Sequence, residues 1–330
     1  MGRDRHGAAA SFVLVVLVTD YSGRVVGTVP DLPQVWGLEL SEDSETVYAA
    51  LSYGSAVVAI DTETLKESAR HPTGAGTYPR YPALADDTLW FGYRIGRHGG
   101  IGSIDLSGED DPAVRLNLTG PERGYAPLVE VAPEAGTLTL ANTVVSGIHV
   151  GTYRTKGGTL RPQASRDVDA GPPRDIALSP DGDQVVLASL FPHRHQVFRT
   201  SDLAEENSYP TGYRPIAVDI APDGTVAAGA DSQASPDVYV FRPGSTTPIR
   251  AYDFGKADTF GNNRVVSPAL AWAPDRRHLF TVTGDGLDKG LALQVMVAPT
   301  RPAPGTPAPA ERPERDTERA DRAGSAPHQR

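Results

Sequence analysis

Apolar and polar positions along this chain fall into short runs, and the runs come in pairs around a polar turn. The clearest pair reads RDIALSPDGDQVVLAS from Arg174, followed by AVDIAPDGTVAAGA from Ala217 and ALAWAPDRRHLFTVTG from Ala269. GLELSEDSETVYAALS from Gly37 is a weaker copy, and PALADDTLWFGY from Pro82 and LVEVAPEAGTLTLAN from Leu128 are more eroded ones. The copies recur about every 45 residues, within the range of propeller and solenoid repeats. Runs this short, rich in β-branched and aromatic residues and bounded by Gly, Pro, Asp and Ser, predict strands. No segment sustains a helical period. Within the unit at Arg174 the pattern predicts four strands, near 175–179, 184–189, 195–200 and 207–211.

Four antiparallel strands repeated around a ring make a β-propeller, because each sheet needs a neighbour on both faces to bury them. The expected fold class is therefore all-β, a propeller of four-stranded antiparallel blades over residues 12–299. Six inner-strand signatures are visible. A further stretch, VLVTDYSGRVVGTV, has the layout of the outer two strands of a blade, as in VVAIDTETLKESARH and HQVFRTSDLAEENSY. Seven positions with an incomplete first blade is the favoured arrangement, and six blades closed by the N-terminal strands is the alternative.

The apolar run Ala8–Val18 follows Arg3 and Arg5 and so also has the make-up of a signal peptide. The strand is preferred, because no small-x-small cleavage site follows and Thr19-Asp20 stands where the other turns stand. Residues 1–11 are expected to be disordered. So is the tail 300–330, rich in Pro, Ala, Arg and Glu and devoid of Val, Ile, Leu and aromatic residues.

The copies SPDGDQVVLAS and APDGTVAAGA, followed by VFRTSDL and VYVFRP, resemble the YVTN-type propeller repeat family, a relative of WD-repeat and lactonase-like propellers. With VYAALS, VAIDT and HQVFRTSDL in order, the chain is most similar to secreted propellers of high-GC Gram-positive bacteria that precede immunoglobulin-like repeats. The resemblance spans Val13 to Pro299. It implies an extracellular or cell-surface location.

Composition narrows the chemistry. The net charge of −10 argues against general nucleic-acid binding, and no apolar run is long enough for a membrane span. Cysteine is absent, which removes disulfides, thiol catalysis and zinc–thiolate sites. The turns at Asp181 and Asp223 lack calcium-loop spacing, and a turn Asp instead accepts a hydrogen bond from the backbone two residues on. Asp86-Asp87, Asp110-Asp111 and Asp285-Gly286 are taken the same way. No nucleophile elbow, zincin motif or P-loop occurs. No cofactor or metal is expected.

Two sets of side chains remain. In a four-stranded meander, the connections between blades and the loops between strands two and three share one face, opposite the Pro-Asp-Gly turns. On it the sequence places Trp36, Arg80, Tyr125, Arg174 and Arg214, an Arg and aromatic surface suited to an anionic or carbohydrate polymer or a protein partner. His98, His193 and His195 are the alternative, a metal or acid–base set for a lactone hydrolase or lyase. The preferred expectation is a non-enzymatic, monomeric binding or scaffold propeller.

Overall fold

The computed structural model describes residues 15–108, 112–119, 122–144, 147–231, 236–255, 264–284 and 291–299. The expected disorder of 1–11 and 300–330 lies outside them, as do Asp110-Asp111 and Asp285-Gly286. The described chain is all-β, and no helix in it is long and apolar enough to cross a membrane.

The hairpin β1 (Val16–Thr19) and β2 (Val25–Val29) comes first. Blade I then holds β3 (Val35–Leu40), β4 (Thr46–Leu51), β5 (Ala56–Asp61) and β6 (Lys66–Pro72). Blade II is β7 (Arg80–Ala85), β8 (Thr88–Ile95) and β9 (His98–Asp105), with the short β10 (Val114–Arg115) and β11 (Glu122–Arg123) both on the outer edge of β9. In blade III follow β12 (Leu128–Ala132), β13 (Thr137–Val144), β14 (Gly147–Lys156) and β15 (Thr159–Val168). Blade IV comprises β16 (Pro173–Leu178), β17 (Gln184–Ser189), β18 (His195–Arg199) and β19 (Glu205–Tyr209), each close to its predicted position. Blade V is β20 (Pro215–Ile220), β21 (Val226–Ala230), β22 (Val238–Phe241) and β23 (Pro248–Tyr252). Blade VI has three described strands, β24 (Arg264–Trp272), β25 (His278–Gly284) and β26 (Ala292–Val297).

Each of the six repeat signatures thus heads one antiparallel blade of a β-propeller. Within the described residues β1 pairs only with β2, so the hairpin joins no blade by hydrogen bonding. The polar turns form as their chemistry requires. The Asp181 carboxylate accepts from the Ser179 hydroxyl and the Asp183 amide, and Asp223 accepts from the Thr225 amide.

Alternation of side chains sends each inner pair of strands two ways, and the core is correspondingly split between neighbours. Ala50, Val57, Phe91 and Ile104 join blades I and II; Trp90, Ile101, Val131 and Leu140 join II and III. Ile148, Ile176, Leu187 and Phe198 lie between III and IV, and Val186, Val197, Val218 and Phe241 between IV and V. Ile216, Val240, Leu270 and Leu279 close V onto VI. A sixth cluster, Val29, Leu32, Leu51 and Ile60, packs the hairpin against blade I.

Candidate functional site

Inner strands run from the connection face to the turn face, so their first residues ring the upper mouth of the axis. Trp36 and Arg80 stand at that level on β3 and β7, and the Arg80 guanidinium lies 3.7 Å over the Trp36 ring. The Arg80 guanidinium lies near enough to the Tyr81 hydroxyl for its charge to act on it, and its Nε is buried without a hydrogen-bond acceptor. Burial lowers the pKa of the guanidinium, and the nearby charge of Arg94 acts in the same direction. Arg174, exposed at the start of β16, is close enough for its charge to act on the same Tyr81 hydroxyl. Arg94 extends the group outward, 5.5 Å from the Tyr78 ring and 5.9 Å from the Tyr125 ring, with Tyr53 edge-on to Tyr78. Among the described residues Arg80, Arg94 and Arg174 have no carboxylate within ion-pair distance.

Backbone geometry fixes this patch. Tyr78 and Tyr81 both sit in the left-handed region, at φ 45° and 49°. For bulky residues that conformation costs about 1–3 kcal/mol each and persists only where the surroundings enforce it.

Of the residues expected from sequence, Trp36 and Arg80 are in contact, Arg174 lies within electrostatic reach of the neighbouring Tyr81, and Tyr125 joins through Arg94. Arg214 does not join them in the same way, because its guanidinium is tied to Asp231 at 3.2 Å. The three histidines are dispersed. His195 is fully buried in blade IV, its ring nitrogens bonded to the Thr211 hydroxyl and the Ala217 carbonyl, and desolvation pushes its pKa down to about 4. His193 packs against Tyr213 with the ring centroids 4.8 Å apart and the planes tilted by 38°, and His98 is exposed at the tip of the β8–β9 hairpin. No group of three or more potential metal ligands is gathered among the described residues.

A second constellation, absent from the expectations, lines the axis below the patch. Glu39, Glu130, Asp175 and Asp219 surround a cavity of about 330 Å³, and Glu39 and Glu130 also border a larger one of about 670 Å³ toward the turn face. No histidine lines either cavity. Three of these acids fasten consecutive blades. Glu39 accepts from the Leu84 amide at 3.2 Å, Asp175 from Val218 at 2.9 Å and Asp219 from Trp272 at 2.7 Å. Desolvation raises all four pKa values, Asp219 to about 6, Glu39 to about 7, Asp175 to about 8 and Glu130 well above its ordinary range. Glu130 lacks the offsetting amide bond and faces the other three charges. The signal was present in the sequence as one acid inside each of the apolar runs GLEL, LVEV, RDIAL and AVDI.

No protein-family model matches the chain, and no curated protein matches it in sequence.

Proposed function

We propose that this protein is a non-enzymatic binding propeller that holds an anionic, ring-bearing polymer on the patch formed by Trp36, Arg80, Arg94, Tyr125 and Arg174. The observation that carries this reading is Arg80, stacked on Trp36 with Nε unsatisfied and no acid beside it. A guanidinium left so is a donor set for a carboxylate or sulfate, and the flanking rings offer flat apolar faces to sugars. The resemblance of the repeat copies to those of secreted propellers supports a site of action outside the cell. On the same reading the ring has seven angular positions, and β1–β2 is the outer half of the one between blades VI and I.

The test is binding of an acidic polysaccharide such as polygalacturonate, with neutral dextran as control, to the parent chain and to Arg80→Ala and Trp36→Ala. Each lost charge-assisted contact is worth about 1.5–3 kcal/mol where water is excluded, so Arg80→Ala should weaken binding roughly tenfold or more. Arg214→Ala, which removes an arginine already paired with Asp231, should matter much less. Equal affinity of the parent and Arg80→Ala would sink the proposal.

A further inference from the structure

Between β15 of blade III and β18 of blade IV, at the level of the β17–β18 loop, the cleft between blades opens into a cavity of about 400 Å³, within the range of small-molecule sites. None of the axial patch residues lines it. Gln196 does, and it is only 4% exposed. Its Nε2 donates to one oxygen of the Glu205 carboxylate at 3.3 Å, and Arg194 donates to the other at 3.2 Å. This contact fixes the amide, because a flipped Gln196 would set its carbonyl oxygen against a carboxylate. Oε1 is therefore an acceptor, and it is buried without a hydrogen-bond partner. Such a group costs free energy until a donor reaches it.

The remaining lining describes what that donor belongs to. Val168, the other buried member, is apolar. Phe191 also lines the cavity and is 51% exposed, yet it is held in place. Its carbonyl accepts from the Gly171 amide at 3.0 Å and the Ser189 hydroxyl at 2.8 Å. Its ring lies so close over Gly171 that a Cβ there would fall 2.8 Å from the ring edge. Arg166 and Asp169 stand at the same cavity, and neither has an ion-pair partner among the described residues. Arg166 gives one N–H to the Leu203 carbonyl and keeps its others.

We infer that this cavity is a binding site for a 2-acetamido pyranose sugar. The acetamido N–H donates to Gln196 Oε1, and its methyl packs beside Val168. An amide N–H suits that atom better than a hydroxyl, which would bring lone pairs to a place where the neighbouring donors, Gln196 Nε2 and Arg194, are already spent on Glu205. The apolar face of the pyranose lies on the fixed Phe191 ring. Its hydroxyls, each both donor and acceptor, answer Asp169 and the free N–H groups of Arg166. A blocked peptide offers the same N–H but neither a ring face for Phe191 nor hydroxyls for Asp169 and Arg166.

The probe is the methyl glycoside of N-acetylglucosamine, titrated into the full chain by calorimetry and saturation-transfer NMR. The methyl glycoside of glucose and N-acetylalanine methylamide are the controls. Saturable binding of the acetamido sugar is expected, with the glucoside weaker by about tenfold because Oε1 stays without its N–H. Phe191→Ala, at an exposed position where the chain still folds, should weaken binding by about tenfold, whereas Phe191→Trp should retain it. Gln196→Leu removes the acceptor and should erase the preference between the two sugars; if that variant does not fold, the glucoside comparison and the Phe191 pair still decide. Arg80→Ala acts at the axial patch and should leave this affinity unchanged, so the two sites fail or stand separately. No saturable binding of the acetamido sugar, equal binding of the glucoside, or an affinity indifferent to Phe191→Ala would overturn the inference. Loss of binding in Arg80→Ala would move the sugar to the patch and overturn it as well. So would N-acetylalanine methylamide binding as tightly as the sugar, which assigns the cavity to a polypeptide.

Discussion

At the scale of single residues, the axial acids set how this protein responds to pH. Asp219 and Asp175 each accept two backbone amides, and Glu39 accepts one, so their burial is partly compensated. Glu130 has only the cost. At pH 6 the native protein keeps protons on Glu39, with its pKa near 7, on Asp175, near 8, and on Glu130, well above its ordinary range, and it gives up those of Glu39 and Asp175 as the pH climbs through these values. The unfolded chain, whose carboxylates titrate near pH 4, has already lost them. Stability is therefore fully present at low pH as far as these groups are concerned, and it falls as pH rises through their folded pKa values. His195 works oppositely, losing stability only as pH falls from about 6.5 toward its folded value of about 4. The melting temperature is expected to decline from pH 6 to pH 8. Glu130→Gln, which removes this titrating group and no hydrogen-bonded amide, should flatten that decline and raise the melting temperature at pH 8. Asp219→Ala should instead destabilise by about 1–3 kcal/mol, because the Trp272 amide is left without its acceptor. Scanning calorimetry of both variants at the two pH values checks this, and a steeper decline in Glu130→Gln would refute the assignment.

At the scale of elements, much of the architecture could be read from local pattern, and the exceptions share one cause. Strand pairs around a Pro-Asp-Gly turn are encoded within about 15 residues, and β16 to β19 fall close to where alternation puts them. Side chains that act across blades are not locally encoded. Asp219 meets Trp272 and Glu39 meets Leu84, each from the adjacent repeat, so a lone acid in an apolar run gave no hint of its partner. Arg214 looked like the equal of Arg80 until the path of the following loop brought Asp231 against it. The same long-range packing positions Tyr125. Gly92 and Gly99 lie on β8 and β9 beneath the segment 125–127, and a Cβ at either would sit 2.1 Å from the Pro127 oxygen or 2.3 Å from the Tyr125 oxygen. Gly99→Ala must therefore lift that segment and carry Tyr125 away from Arg94. The expected result is an overpacking cost of about 1–3 kcal/mol together with weaker polysaccharide binding, although no side chain of the patch has been changed. Unaltered affinity in a folded Gly99→Ala protein would remove Tyr125 from the site.

At the scale of the whole molecule, closure of the ring depends on the hairpin that belongs to no blade. Consecutive inner strands neighbour one another from β3 through β7, β12, β16 and β20 to β24, but β24 and β3 do not neighbour each other in the same way. Among the described residues, what reaches across that gap is β1–β2, through Val16 and Val29 in the cluster of Leu51, Val58 and Ile60 on one side and Tyr21 against Phe280 on the other. Leu65 of blade I also covers the hairpin, in a contact so close that a Cβ at Gly27 would fall 2.2 Å from its Cδ1. Deleting residues 1–29 takes this cover from both end blades at once. Each buried Val lost from the cluster is worth about 1.5–3 kcal/mol, and the uncovered strand faces add to that. For a domain of this size the sum corresponds to a fall in melting temperature on the order of 5–10 °C. Because every blade is held by its neighbours, the loss should appear as one cooperative transition at lower temperature, with blades I and VI showing faster amide exchange than III and IV. A shortened chain that melts where the parent does would show that the ring closes without the hairpin. Two separated transitions would show that cooperativity itself runs through it.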